Sequence, residues 1–175
     1  MNLKDYIRSI KDYPKKGILF RDITTLIKNE TAFVKCIDEI VEKSNNFKFN
    51  KIAAVEARGF VFASAISYIL KKPFILLRKK NKLPSDVHSI DFKLEYGTAT
   101  MEIHKDSIEP NDSVLLIDDL IATGGTSEAA AKLIEISKGK VSGFIFVINL
   151  FDLGGCDKLI EKGYKVENLI EFPGH

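Results

Sequence analysis

Short apolar runs alternate with amphipathic tracts along most of this chain. Ile52 to Val55, Phe74 to Leu77, Val114 to Ile117, Val141 to Leu150 and Val166 to Ile170 are mostly apolar and rich in β-branched residues, as strands buried on both faces of a parallel sheet require. Between them, Phe33, Ile37, Ile40 and Val41 recur at helical spacing, which predicts a helix over Thr31 to Lys43 with Thr31 as its cap. SNNFKFN then reads as a loop. Phe60 to Leu70 predicts a mostly apolar helix, ended by Lys71, Lys72 and Pro73. Glu128 to Glu135 and Cys156 to Glu161 read as two further helices. Strands alternating with helices predict one α/β domain over residues 1–175, a parallel central sheet flanked by helices and joined by right-handed crossovers.

The alternation is interrupted once. RKKNKLPSDVHSID, Arg78 to Asp91, is polar, basic and long for a loop, and long loops in compact domains are commonly lids or binding loops. FKLEYGTATMEIH follows as two alternating runs around Gly97-Thr98, the pattern of a β-hairpin. Residues 78–104 therefore read as a lid and hairpin inserted over a site.

Composition narrows the function classes. The 175 residues are 45% hydrophobic and 29% charged, with a net charge of +2, which gives no electrostatic reason to expect nucleic acid as a partner. No stretch approaches the ~20 apolar residues of a membrane span, and MNLKDYIRSIKDYPKKG lacks the apolar core of a secretion signal. Cys36 and Cys156 match no metal or redox spacing. A cytoplasmic protein without a membrane partner is expected.

The densest chemistry lies in VLLIDDLIATGGTSEAAAKLIE, Val114 to Glu135, which reads as strand, loop, helix. Gly124 and Gly125 allow positive φ and close approach of a ligand to the backbone. The free N–H groups of the loop and the helix start suit a phosphate. Thr123, Thr126 and Ser127 add hydroxyl donors, one of which is expected to cap the helix. Asp118 and Asp119 would repel a phosphate, so they call for a polyol or a metal ion. A ribose 5-phosphate satisfies both halves. Neither GxxxxGK[ST] nor a GxGxxG following a strand is present. Adjacent acids at the end of an apolar strand are costly to bury unless a ligand uses them.

In open sheets of this kind, ligands bind beyond the carboxyl ends of the strands. Three polar clusters fall there: Glu56-Ala57-Arg58-Gly59, Arg78-Lys79-Lys80 and the Asp118-Asp119 loop. Basic groups at two of them suit a second anion such as a diphosphate. Taken singly, Lys79, Lys80 and Lys82 each read better as part of a solvated charge run than as a ligand for that anion.

VLLIDDLIATGGT resembles the signature loop of the type I phosphoribosyltransferases, which binds 5-phosphoribosyl 1-diphosphate (PRPP). YPKKGILFRDIT, EARGF, LLRKKNKLP, LEYGTATMEIH, INLFDLGG and the terminal FPGH are similar to segments of the adenine-using members, and together they run nearly end to end. The first position of EARGF is often Asp in that family, so Glu56 is a charge-preserving departure. The resemblance implies a Rossmann-like type I phosphoribosyltransferase fold with a lid insertion. It also implies transfer of phosphoribose from PRPP to adenine with Mg²⁺, in a homodimer. It assigns adenine to residues 1–30, stacked on Phe20 and read by the backbone of Leu19 and Arg21. It assigns the 5-phosphate to Ala122, Thr123, Gly124, Gly125 and Thr126, and the ribose hydroxyls to Asp118 and Asp119. The diphosphate goes to Arg58, helped by Arg78, Lys79 and Lys82, with Arg78 reaching in from a second subunit. Glu95 would take the proton that adenine loses, Tyr96 would move with the lid, and the Glu56–Ala57 peptide would be cis. Another purine base as substrate, or a non-enzymatic PRPP-sensing regulator on the same fold, remain alternatives.

Overall fold

The structure is a computed structural model that describes residues 1–94 and 97–175. After a single 3-10 turn at Leu3–Tyr6, the chain forms an antiparallel hairpin, β1 (Arg8–Lys11) and β2 (Leu19–Asp22), which makes its own two-stranded sheet. The short α1 (Thr24–Ile27) and then α2 (Glu30–Ser44) follow. Next come β3 (Lys51–Val55), α3 (Arg58–Leu70) and β4 (Phe74–Lys79). The hairpin β5 (Val87–Leu94) and β6 (Gly97–His104) leads to β7 (Ser113–Ile121) and α4 (Gly125–Ile136). The chain ends with β8 (Lys140–Leu150), α5 (Gly155–Glu161) and β9 (Val166–Phe172).

Among the described residues, seven strands form the main sheet in the order β5-β6-β4-β3-β7-β8-β9. The segment from β4 to β9 is parallel, and the β5–β6 hairpin adds antiparallel strands at one edge. The continuous apolar runs have a direct cause, because both faces of the sheet are covered. On β7, Leu115 and Ile117 pack with Ile40, Phe62 and Ile66 on the side of α2 and α3. Val114 and Leu116 pack with Leu133, Ile134 and Leu159 on the side of α4 and α5. Period-2 alternation of side chains therefore buries every residue of the run. Because α3 and α4 leave the neighbouring strands β3 and β7 towards opposite faces, a crevice opens beyond the carboxyl ends of these two strands.

Several sequence expectations shift. Helix α2 starts at Glu30, and its cap is Asn29, whose side chain accepts from Ala32 N–H, rather than Thr31. Helix α3 begins at Arg58, not Phe60. The segment read as the loop Arg78 to Asp91 is half strand: β4 runs on to Lys79 and β5 begins at Val87, so the irregular stretch is only residues 80–86. Its polar residues are those of an edge strand exposed on one face, which masked the alternation. Gly97 and Thr98 lie in β6, where Gly97 pairs with Leu94 and Thr98 with Lys93, and so do not form the hairpin turn. Strand β7 does not stop at Ile117. The long β8 pairs Asp118 with Phe146 and Leu120 with Ile148, so both acids lie within the strand.

Candidate active site

The site is built on the turns that follow β3 and β7. After β3, Glu56 and Ala57 are joined by a cis peptide bond, as the resemblance implied, and Arg58 occupies the first position of α3. Next to it, Gly59 leaves the space that the Asp118 carboxylate occupies: a Cβ on Gly59 would come within 2.9 Å of Asp118 Oδ1 and 3.2 Å of the Ile117 carbonyl.

After β7, the chain reaches Gly124, which is left-handed at φ +88° and forms the N-cap of α4 with no side-chain cap. The expected hydroxyl cap is therefore absent. Glycine has no side chain to accept from the first turn, and Thr126 and Ser127 already lie inside the helix. Among the described residues the leading N–H groups of this twelve-residue helix thus have no capping side chain, and the positive end of its dipole adds to their affinity for an anion.

The two turns enclose a cleft of about 290 Å³ lined by Glu56, Ala57 and Arg58, by Asp118 through Ser127, and by Lys93 and Leu94 from the end of β5. Asp119 is buried, and its backbone N–H donates to Asp118 Oδ1 at 2.9 Å. Burial, then the charge of Asp119, raises the Asp118 carboxyl well above the ordinary carboxylate range. Burial also raises Asp119, against the pull of Arg58. Arg58 Nε stands 2.8 Å from Asp119 Oδ2, and its guanidinium carbon lies 5.8 Å from the centre of the Phe20 ring. Arg58 thus connects the acid pair to the N-terminal hairpin.

Asp118, Asp119, Arg58 and Ala122 through Thr126 therefore meet in one cleft. Other candidates lie outside it. Arg78 Nε is 3.5 Å from Glu56 Oε1, and its Nη1 donates to the Lys82 carbonyl at 3.1 Å. The Lys79 backbone N–H donates to the same Glu56 oxygen, while the Lys79 and Lys82 side chains are exposed. Leu19, Phe20 and Arg21 lie on β2, with Phe20 against Arg58 and edge-on to Tyr13. Glu95 and Tyr96 lie outside the described residues.

Some structural contributors had weak sequence signals. Glu56 fastens the β3 turn to the end of β4. Gly155 packs under the β7–α4 loop. The C-terminal FPGH, which had no physical explanation in the sequence, folds against β2 through Arg21. His104 Nε2 accepts from Ser85 N–H at 3.4 Å, which ties the end of β6 to the turn that precedes β5. Among the described residues no group of three or more His, Cys, Asp or Glu side chains is placed to hold a metal ion. A bound Mg²⁺ would therefore need oxygens from a substrate, which suits an ion that keeps much of its water and uses one or two carboxylates.

Comparison with known proteins agrees with this architecture. The model of the phosphoribosyl transferase domain matches residues 23–172. The chain is 73% identical to the adenine phosphoribosyltransferase of Pelagibacter ubique, over the whole of both chains. The solved adenine phosphoribosyltransferase of Thermoanaerobacter pseudethanolicus superposes with a TM-score of 0.93 at 45% identity, covering 97% of this chain and 98% of its own. The Giardia lamblia enzyme complexed with 9-deazaadenine superposes with a TM-score of 0.92 at 31% identity, covering 98% of each chain.

Proposed function

The chain belongs to the phosphoribosyl transferase family and, within it, to the adenine phosphoribosyltransferases, and we infer that it joins adenine to PRPP, giving AMP and diphosphate in purine salvage. The observation that carries the reading is the union in one cleft of an uncapped, glycine-led helix start with two adjacent carboxylates. The helix start suits a phosphate, the carboxylates suit ribose hydroxyls, and a 5-phosphoribosyl group has both in the same order.

The residues act by position and charge. Loop residues Ala122 to Thr126 take the 5-phosphate with backbone N–H groups. Asp118 and Asp119 accept from the ribose hydroxyls, which fixes C1 relative to the incoming base. Arg58 leaves Asp119 for the diphosphate and stabilises the negative charge that grows on the leaving group. Arg78, Lys79 and Lys82 support it, with Arg78 offered to the site of a second subunit. Adenine stacks on Phe20 and pairs with the backbone of Leu19 and Arg21. Glu95 accepts the proton that the attacking ring nitrogen sheds, and Tyr96 travels with the lid. A Mg²⁺ ion brought in by PRPP, near Asp118 and Asp119, would supply further charge neutralisation at the diphosphate. Positive charge builds on the ribose ring as the bond to diphosphate breaks, so closure of residues 78–104 over the cleft would keep water from C1.

In the same reading, residues 1–175 form one catalytic domain with residues 1–30 as the base-binding segment. The protein is a cytoplasmic homodimer with no nucleic-acid partner. Exposed Tyr68, Ile69 and Leu76 on α3 and β4 support the dimer, two free buried thiols support a reducing compartment, and the small net charge supports the lack of a nucleic-acid partner.

An assay of adenine, hypoxanthine, guanine and xanthine with PRPP and Mg²⁺ tests the function. Adenine is expected to be used alone at appreciable rate, because a base without its amino donor leaves buried polar groups unpaired. Comparable turnover of hypoxanthine would overturn the base assignment. Binding of PRPP without any transfer would indicate a sensor.

A further inference from the structure

The β1–β2 hairpin that carries Leu19, Phe20 and Arg21 is not laddered to the main sheet. A two-stranded hairpin alone is marginally stable. Recognition of a base by backbone groups nevertheless needs those groups fixed to a fraction of an ångström. Side chains must therefore anchor the hairpin.

Arg21 is well placed for this. Its side chain turns away from the cleft and is buried, with the residue 8% exposed. One guanidinium nitrogen donates to Ser9 Oγ on β1 and another to the Pro173 carbonyl at 3.0 Å. The guanidinium carbon stands 4.4 Å from the centre of the Phe172 ring. Phe172 is the last residue of β9 and pairs with Leu150 in the main sheet. Beyond it, Gly174 N–H donates to Asp152 Oδ1 at 2.6 Å, and a Cβ on Gly174 would meet Leu153 Cγ at 2.6 Å. The C-terminal tail is thus held against the turn after β8 and holds Arg21 in turn. A buried guanidinium is an expensive way to fasten two elements if packing alone is required, since an apolar side chain of similar volume is often as stabilising.

We propose that Arg21 is a positioning residue for the base: clamped between Phe172, the Pro173 carbonyl and Ser9, it sets the Leu19–Arg21 backbone relative to Arg58 and the acid pair. This rests on the reading of Leu19 to Arg21 as the base-binding segment. The clamp needs the planar, multi-donor guanidinium, which stacks and donates in two directions at once, so lysine does not replace it.

The test compares full-length protein with Arg21→Lys, Arg21→Met and a chain ending at Phe172. KM for adenine and for PRPP are measured separately, alongside thermal unfolding. KM for adenine is expected to rise about tenfold or more, the loss of one to two hydrogen bonds, while KM for PRPP stays within about twofold. Unchanged adenine KM in folded variants overturns the proposal, as do equal rises in both constants, which would mark a general structural role. If Arg21→Met does not fold, Phe172→Leu decides in its place, because it keeps apolar bulk and removes the ring. Wild-type turnover of adenine is the control. Its absence overturns the base-binding reading, whereas its presence with unchanged KM in the variants overturns the clamp alone.

Discussion

The backbone N–H of Gly155 donates to the carbonyl of Ala122 at 3.0 Å, so the turn after β8 holds the loop that follows β7. The approach leaves no room for a side chain. A Cβ on Gly155 would fall 2.4 Å from the Ala122 carbonyl oxygen and 2.9 Å from Gly124 N. Gly155→Ala is therefore expected to displace the phosphate-binding loop, lowering stability by roughly 1–3 kcal/mol as overpacking does. The KM for PRPP should rise by about tenfold or more. Gly163→Ala is the control. Gly163 is left-handed at φ +89° with open space around it, so the change should cost ~1 kcal/mol of backbone strain and leave PRPP kinetics alone. Equal PRPP kinetics in the two variants would remove the link between α5 and the loop.

The ion pair of Arg58 with Asp119 predicts a pH effect. Burial raises both Asp118 and Asp119, and Arg58 lowers both. The ionised acids that accept from ribose hydroxyls are lost as pH falls through these raised values. The acid limb of kcat/KM for PRPP should therefore lie above the ordinary carboxylate range. In Arg58→Gln the limb should move to still higher pH, together with a loss of kcat/KM at neutral pH of about one to two orders of magnitude for a charged partner. A pH profile whose acid limb does not move on losing Arg58 would show that the acid pair does not limit PRPP use.

Asp118 also sets stability against function. A carboxyl whose pKa is higher in the folded than in the unfolded protein destabilises the fold at every pH above its unfolded value, and the penalty is complete above the folded value. Asp118 is in that position at neutral pH. Asp118→Asn keeps an oxygen able to accept from Asp119 N–H and removes the desolvated charge of this half-buried side chain. The variant should gain on the order of 1 kcal/mol in denaturant unfolding at pH 7 while losing PRPP affinity. A variant that loses both would assign the residue to the fold instead.

The sequence disclosed different parts of this architecture unequally. The parallel core was legible because both faces of β7 and β8 are covered, so the stretches Val114 to Ile117 and Phe144 to Ile148 at their centres are apolar at every position. The segment from Asp118 to Thr126 was legible as a binding element because unlike chemistries, acids and an anion-binding glycine pair, stand a few residues apart in it. Only the end of β5, from Phe92, was legible as an arm of the hairpin; Val87 to Asp91 was not, since VHSIDFKL has only exposed or half-buried positions and carries no buried stripe. The open start of α4 was misread because serine and threonine favour caps on average, and only the left-handed φ of Gly124 shows that the helix begins without one. The clamp of Arg21 on Phe172 joins residues some 150 positions apart, and no local pattern encodes it.

Asp22 predicts the acid behaviour of the N-terminal segment. Its Oδ1 accepts from Thr24 Oγ1 at 2.7 Å and from Thr24 N–H at 3.0 Å, which fixes the start of α1, while Oδ2 accepts from Arg8 Nε at 3.1 Å. The Thr24 hydroxyl first, then Arg8, lowers the carboxyl from 3.8 to about 2. A carboxyl depressed in the folded state contributes stability that is fully present above its unfolded value and is lost as pH falls towards the folded one. Here that window lies between 3.8 and about 2. One pKa unit corresponds to about 1.4 kcal/mol, and exposure of the Arg8 partner reduces the ionic share, so Asp22 contributes roughly 1–2 kcal/mol. Asp22→Asn should therefore be less stable than wild type by about that amount at pH 7. The gap should narrow steeply as pH falls to about 2 and close below it, because the wild-type carboxyl is half protonated at its folded value and, once protonated, holds Thr24 and Arg8 no better than the amide. Urea midpoints at neutral pH, pH 4 and pH 2.5 measure this directly. Added salt should narrow the gap only in part, since the Thr24 bonds involve no second charge. A gap that stays constant from neutral pH down to the lowest value would mean that shape, not ionisation, makes Asp22 matter to the turn.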